Sequence, residues 1–153
     1  MPAVLHVILV QPQIPPNTGN IARLCGATGS VLHLVRPLGF STDEKSLRRA
    51  GLDYWSEVEV LYHDSFAEAL ASSGAGPLIL FSARAKTPYT EAPYADGARL
   101  VFGSETSGLP REIIDAHPDN LYLIPIWGKV RSLNLSTAAG IAVYEGYRKI
   151  GSF

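Results

Sequence analysis

Apolar runs rich in Val, Ile and Leu alternate along the chain with stretches of helical spacing. VLHVILV (4–10), VLHLV (31–35), EVEVLY (57–62), LILFSA (78–83), RLVFG (99–103) and LYLIPI (121–126) read as strands. Several are apolar at successive positions, as in a parallel sheet covered by helices on both faces. Between them lie helix signals. Asn17 or Thr18 caps a helix with Ile21, Leu24 and Cys25 on one face and Gly29 as its stop. Ser65 and Glu68 form a capping box ahead of FAEALA, and Pro110 suits a first turn before REIIDA. A final helix, about 135–149, turns Ala138, Ile141, Ala142 and Tyr144 toward packing surfaces. The Pro-rich, polar RAKTPYTEAPYADG (84–97) reads as a surface loop. The implied architecture is a single-domain, doubly wound α/β sheet.

Length and composition sharpen this little. The 153 residues suit one domain, and 46% hydrophobic against 18% charged residues mark a globular chain. A net charge of −1 does bear on partners: a polyanion would have to be met by a local patch. Lys45, Arg48 and Arg49 in EKSLRRAG lie at i, i+3 and i+4, which makes one helix face basic. The single cysteine, Cys25, excludes an internal disulfide and fits a reducing compartment. The apolar start is too short to span a bilayer and lacks the basic leader of a signal peptide, so a cytoplasmic location is expected.

Three stretches carry more glycine and small polar residues than a scaffold needs: PPNTGNIARLC (15–25), FGSETSGLP (102–110) and IPIWGKVRSLNLSTAAG (124–140). Each comes after a strand, where open α/β sheets bind ligands. GKV (128–130) lacks the upstream glycine and hydroxyl of a P-loop, and Gly19, Gly26 and Gly29 miss the dinucleotide spacing. With no HExxH or CxxC, and with His6, His33, His63 and His117 scattered, no metal site is expected. Taken singly, the residues have plain readings. Gly103 and Gly108 serve turns, Ser132 and Asn134 cap a helix, Arg23 is a solvated charge, Glu105 a surface carboxylate, His33 a satisfied core or edge histidine and Cys25 a small buried apolar residue.

Together with LRRAGLDYW (47–55), the three stretches closely resemble the motifs of the SPOUT superfamily of RNA methyltransferases. They are most similar to the small single-domain group acting on the wobble nucleotide, cytidine or uridine 34, of leucine tRNAs. The likeness covers nearly the whole chain; the segment WGKV (127–130) and the loop 84–97 fall in parts that vary among such proteins. It implies one domain, 1–153, whose C-terminal part, about 77–153, is threaded into a deep trefoil knot. It further implies 2′-O-methylation of ribose with S-adenosylmethionine as cofactor, a homodimer, and the tRNA anticodon stem-loop as partner.

The resemblance also implies site residues. Ser82, Gly103, Ile124, Pro125, Ser132 and Leu133 would hold the cofactor through small side chains and main-chain groups. Arg23, Asn17, Glu105, Ser132 and Asn134 would form the catalytic set. The resemblance gives Arg23 the part of proton acceptor; because a guanidinium is a poor base, Arg23 is instead expected to clamp the target phosphate and stabilise the developing alkoxide, with Glu105 holding Arg23 or closing the site by hydrogen bonding. Lys45, Arg48, Arg49, Lys129 and Arg131 would contact RNA. Alternatives are the same chemistry on another tRNA position or on rRNA, and a non-catalytic RNA-binding module of the same fold.

Overall fold

The computed structural model describes residues 2–40 and 55–153. Lys45, Arg48, Arg49 and most of LRRAGLDYW therefore lie outside the described residues.

Six parallel strands, β1 (His6–Val10), β2 (Val31–Val35), β3 (Val60–His63), β4 (Leu78–Phe81), β5 (Arg99–Phe102) and β6 (Leu121–Tyr122), form one sheet in the order β3-β2-β1-β5-β4-β6. The near-continuous apolar runs have the expected cause, because both faces are covered. On one face Leu5, Val7, Leu9, Leu32, Leu34, Ile79, Leu100 and Phe102 pack beneath α1 (Pro15–Thr28) and α4 (Leu135–Ile150). On the other, Ile8, Val10, Val35, Leu78, Leu80 and Val101 pack beneath α2 (Phe66–Ser72) and α3 (Arg111–Ala116).

The strand ends differ from the sequence expectation for identifiable reasons. β1 starts at His6, because the amides of Val4 and Leu5 are taken by Asp96 Oδ1 (2.8 Å) and the Tyr147 hydroxyl (3.3 Å). β3 starts at Val60 because Trp55–Glu57 coils into a 3-10 turn. β6 stops after Tyr122; Leu123 instead exchanges hydrogen bonds with Thr87 and Tyr89, and Pro125 has no N–H with which to extend a ladder.

Two further expectations are corrected. The 84–97 segment is not merely a surface loop: Ala92 and Tyr94 are buried in the α1–α4 core, and Tyr94 fills the space left open by Gly146 of α4. On α4, Tyr144, expected to face a packing surface, is instead 49% exposed, whereas Tyr147 lies in that core, where its hydroxyl meets Ser30 Oγ at 2.8 Å. Cys25 behaves as read: it is buried, and burial pushes its thiol up to about 12, which leaves it inert. Among the described residues no helix is long and apolar enough to cross a membrane.

Candidate functional site

The sheet order places β1 beside β5, the point where consecutive strands diverge to opposite sides, and ligands of open α/β sheets bind at such a point beyond the strand ends. The connections leaving β1 and β5 there are unusual. After β1 the backbone turns sharply at Gln11 (φ 55°), a left-handed conformation uncommon for a side-chain-bearing residue. It then enters α1 through Pro15 and Pro16, which occupy the first helical positions and have no amide to leave unsatisfied. The cap residue is Ile14, not Asn17 or Thr18, and no side chain within the segment caps the helix. Its first turn carries no acidic residue either.

The missing anion comes from the β5 loop. Glu105 accepts hydrogen bonds from the amides of Gln13 and Ile14, both at 2.8 Å, and from Asn17 Nδ2 at 3.2 Å. A carboxylate at a helix N-terminus faces the positive end of its dipole, an arrangement worth about 1 kcal/mol. These bonds join the β5 loop to the start of α1. The loop is held rigidly for the purpose. Ser104 and Gly108 exchange backbone hydrogen bonds (3.2 and 3.0 Å), Ser104 Oγ accepts from Ser107 N, and Gly108 takes φ 67°. A Cβ on Gly103 would fall on the carbonyl of Gly108 and the amide of Leu109, so only glycine fits the strand-to-loop junction.

The third stretch joins from the other side. Asn134 caps α4, its Oδ1 accepting from the amides of Ser136 (2.9 Å) and Thr137 (3.3 Å). Its Nδ2 donates to Asn17 Oδ1 at 3.0 Å. Asn17, nearly fully buried, thus links the α4 cap to Glu105 and so to the α1 N-terminus. All three sequence stretches meet in this chain of bonds.

The remaining candidates divide by position. Arg23 lies further along α1, on an exposed face, where it shares a groove of about 360 Å³ with Asn20, Leu24, Ala27 and, from α4, Ser136, Thr137 and Gly140. Ser136 and Thr137 received no separate role from the sequence, although their place after the cap residue was a usable signal. Ser82, Gly103 and Ile124 lie beyond the carboxyl ends of β4, β5 and β6, which are adjacent in the sheet in the order β5-β4-β6. Ser82 donates its amide to the Tyr122 carbonyl (3.0 Å), and its own carbonyl accepts from Ala85 (3.1 Å). Any contribution through its backbone therefore falls to the carbonyl's second lone pair. Pro125 and Leu133 are half-buried, and Lys129, Arg131 and Ser132 exposed, on the segment between β6 and α4. Among the described residues no group of three or more His, Cys, Asp or Glu side chains is placed to hold a metal ion.

Known proteins resemble the chain in both sequence and fold. A family model described as SpoU rRNA Methylase matches residues 4–144. An Escherichia coli K12 protein named tRNA (cytidine(34)-2'-O)-methyltransferase is 42% identical over 149 residues, covering 97% of this chain and 95% of that protein. A Bacillus subtilis strain 168 protein, provisionally assigned the same activity, is 51% identical over 148 residues, covering 95% and 92%. A solved structure concerned with the 2-OH methylation of C/U34 on tRNA superimposes with a TM-score of 0.89 at 46% identity, covering 97% of each chain. An AdoMet-bound rRNA methyltransferase from Sinorhizobium meliloti superimposes with a TM-score of 0.81 at 26% identity, covering 97% of this chain and 57% of that one.

Proposed function

From the premise that the chain belongs to the SpoU rRNA methylase family, we propose that it uses S-adenosylmethionine to methylate the ribose 2′-hydroxyl of the wobble nucleotide, cytidine 34, in tRNA. The observation that carries this is the Asn134–Asn17–Glu105 chain of hydrogen bonds, which closes the three glycine-rich and polar stretches onto one edge of the sheet. The relatives at 42–51% identity bear names for this reaction over nearly their whole length. Uridine 34 as a second substrate and leucine tRNAs as the isoacceptors are the finer parts of the proposal.

The residues present fit the cofactor. An adenosine joined to a sulfonium amino acid calls for shape and main-chain hydrogen bonds more than for charge, and the adjacent ends of β5, β4 and β6 bring small residues and main chain together there. Gly103, Ser82, Ile124, Pro125, Ser132 and Leu133 would hold it. When bound, S-adenosylmethionine supplies an electrophilic methyl group on a good leaving group.

The protein's task is then the other reactant, a poor hydroxyl nucleophile. Arg23, a permanent cation, clamps the phosphate beside the target ribose and stabilises the alkoxide as it develops, while the proton leaves to phosphate or water. Ser132 and Asn134 orient the ribose. Asn17 and Glu105 position Asn134 and the α1 N-terminus and need not touch substrate. Lys129 and Arg131, both exposed, reach the backbone of the anticodon stem-loop, together with Lys45, Arg48 and Arg49.

The working unit in this proposal is a homodimer. Tyr144 and the half-buried Ile141 on the outer side of α4, beside the groove with α1, give a second copy apolar surface. The C-terminal part, about 77–153, is threaded as a trefoil knot, in accord with β5 inserted between β1 and β4. A tRNA substrate and a lone buried thiol suit a cytoplasmic setting.

The test is transfer of label from methyl-labelled S-adenosylmethionine to intact tRNA, to tRNA with a purine substituted at position 34, and to rRNA fragments. Label on intact tRNA alone is expected. Equal labelling of tRNA carrying a purine at position 34 would move the target elsewhere, and labelling of rRNA alone would replace the substrate.

A further inference from the structure

We infer that Trp127 is a stacking platform for an unpaired base of the RNA substrate, with Lys129 and Arg131 holding the phosphates beside it. The inference rests on the RNA-methylation reading above and adds to it a residue that sets how the loop is gripped.

Trp127 is 90% exposed, more than any other large apolar side chain among the described residues. Single exposed apolar residues are ordinary. This one has company: Ile126 (38%) and Val130 (68%) are exposed on the same short segment, so the apolar surface is concentrated there rather than scattered.

Charge selects the occupant. Residues 120–144 contain no Asp or Glu, and Lys129 and Arg131 lie exposed within them. In a chain of net charge −1, that is a local cationic zone with no acid of its own to neutralise it. A purely apolar partner would leave those cations facing nothing. A nucleic acid satisfies both halves at once, because every base has a π-face for the indole and every linkage a phosphate for the cations. The base must be unstacked, which confines the contact to a single-stranded loop or end.

Placement completes the case. The segment is anchored at both ends, by Leu123 through Thr87 and Tyr89, and by Asn134 through Asn17. Trp127 is thus carried at the carboxyl edge of the sheet, between Ile124–Pro125 and Ser132–Leu133, the residues proposed for the cofactor. Next to it, a Cβ on Gly128 would meet no atom within 4 Å, so packing does not demand glycine there. The position beside Trp127 in the chain therefore adds no side chain that could compete with a ligand for the exposed indole.

The chain has two tryptophans, Trp55 and Trp127, so the difference in fluorescence between wild type and W127A isolates Trp127. The titrant is an anticodon stem-loop RNA at fixed salt. Quenching in wild type that is absent in W127A is expected. The KM for tRNA should rise on the order of tenfold in W127A, with kcat and the affinity for S-adenosylmethionine within about twofold. W127F should recover most of the loss and W127L should not, since stacking needs a ring rather than mere bulk.

An unchanged KM overturns the inference, as does a W127L enzyme equal to W127F. Loss of cofactor affinity would make Trp127 a cover for the cofactor. Loss of self-association in sedimentation, with tRNA binding falling only in step with it, would make it a contact between copies. If wild type transfers no methyl group yet its Trp127 is quenched by the stem-loop, the stacking stands and the proposed reaction falls. If the RNA leaves Trp127 unquenched, the stacking falls whatever the enzyme does.

Discussion

Asn134 Nδ2 donates to Asn17 Oδ1 at 3.0 Å and so ties the first turn of α4 to the first turn of α1 across 117 positions of sequence. The polarity of the link is fixed at both ends. Glu105 can only accept, so Asn17 must turn its Nδ2 there; the amides of Ser136 and Thr137 can only donate, so Asn134 must turn its Oδ1 to them. No member can be inverted without breaking its neighbour.

Asn17→Asp tests that polarity with almost no change of shape. It keeps the acceptor for Asn134 but sets a carboxylate 3.2 Å from the Glu105 carboxylate. At pH 7.5 the cost in stability should be about 2 kcal/mol. Like charges raise the pKa of one of the pair above its unfolded value, so the penalty belongs to high pH and fades as pH falls through the raised pKa. Urea unfolding of variant and wild type at pH 7.5 and 5.0 should show the gap narrowing. A gap that stays constant or widens would contradict the link.

Gly103→Ala asks whether the β5 loop has room to move. The new Cβ would meet backbone at Gly108 and Leu109, which cannot swing aside as a flexible side chain could. A loss of about 2 kcal/mol or more is expected, with weaker S-adenosylmethionine binding by calorimetry. A variant that is stable and binds the cofactor normally would remove Gly103 from the pocket.

Arg23→Lys keeps the charge and discards the planar fork. Methyl transfer should fall by about a hundredfold, with S-adenosylmethionine affinity retained, because Arg23 is assigned to the RNA side of the reaction. Turnover near that of wild type would contradict the clamp.

A chain of histidines on the α2 face gives a pH dependence of stability. His6 Nδ1 meets His33 Nε2, and His33 Nδ1 meets His63 Nε2, both at 2.9 Å, across β1, β2 and β3. Burial, then the imidazoles of His6 and His63, push His33 down to about 4. Burial also lowers His6, beside Arg99, Glu59 and Asp96, and lowers His63, beside Glu68 and Arg36. Unfolded histidines titrate near 6.5, so below that pH the unfolded chain binds more protons. The contribution to stability is therefore complete above about 6.5 and declines as pH falls toward 4. The urea midpoint should drop between pH 7.5 and 5.5, and His33→Gln should flatten that drop. An equal drop in the variant would place the protons elsewhere.

The sequence announced whatever was local. The α4 cap was legible because Asn134 precedes its own helix, and the strands because their residues are apolar in succession. The α1 cap was not: its acceptor, Glu105, arrives from 91 positions beyond Ile14, and nothing in PPNTGN names it. The histidine chain needed the register of three strands, which pairs Ile8 with His33 and Val35 with His63; spacing along the chain cannot supply that. Ala92 and Tyr94 were hidden by the prolines around them, which mark a loop but not whether it docks. The meeting of the three polar stretches was read from resemblance and then seen in hydrogen bonds.

Mass spectrometry of nucleosides from tRNA incubated with the protein and methyl-labelled S-adenosylmethionine tests the central claim most directly. Labelled 2′-O-methylcytidine that maps to position 34, with the added mass on the ribose, is the expected result. Label on a base, label at another position, or none at all with intact tRNA would contradict it.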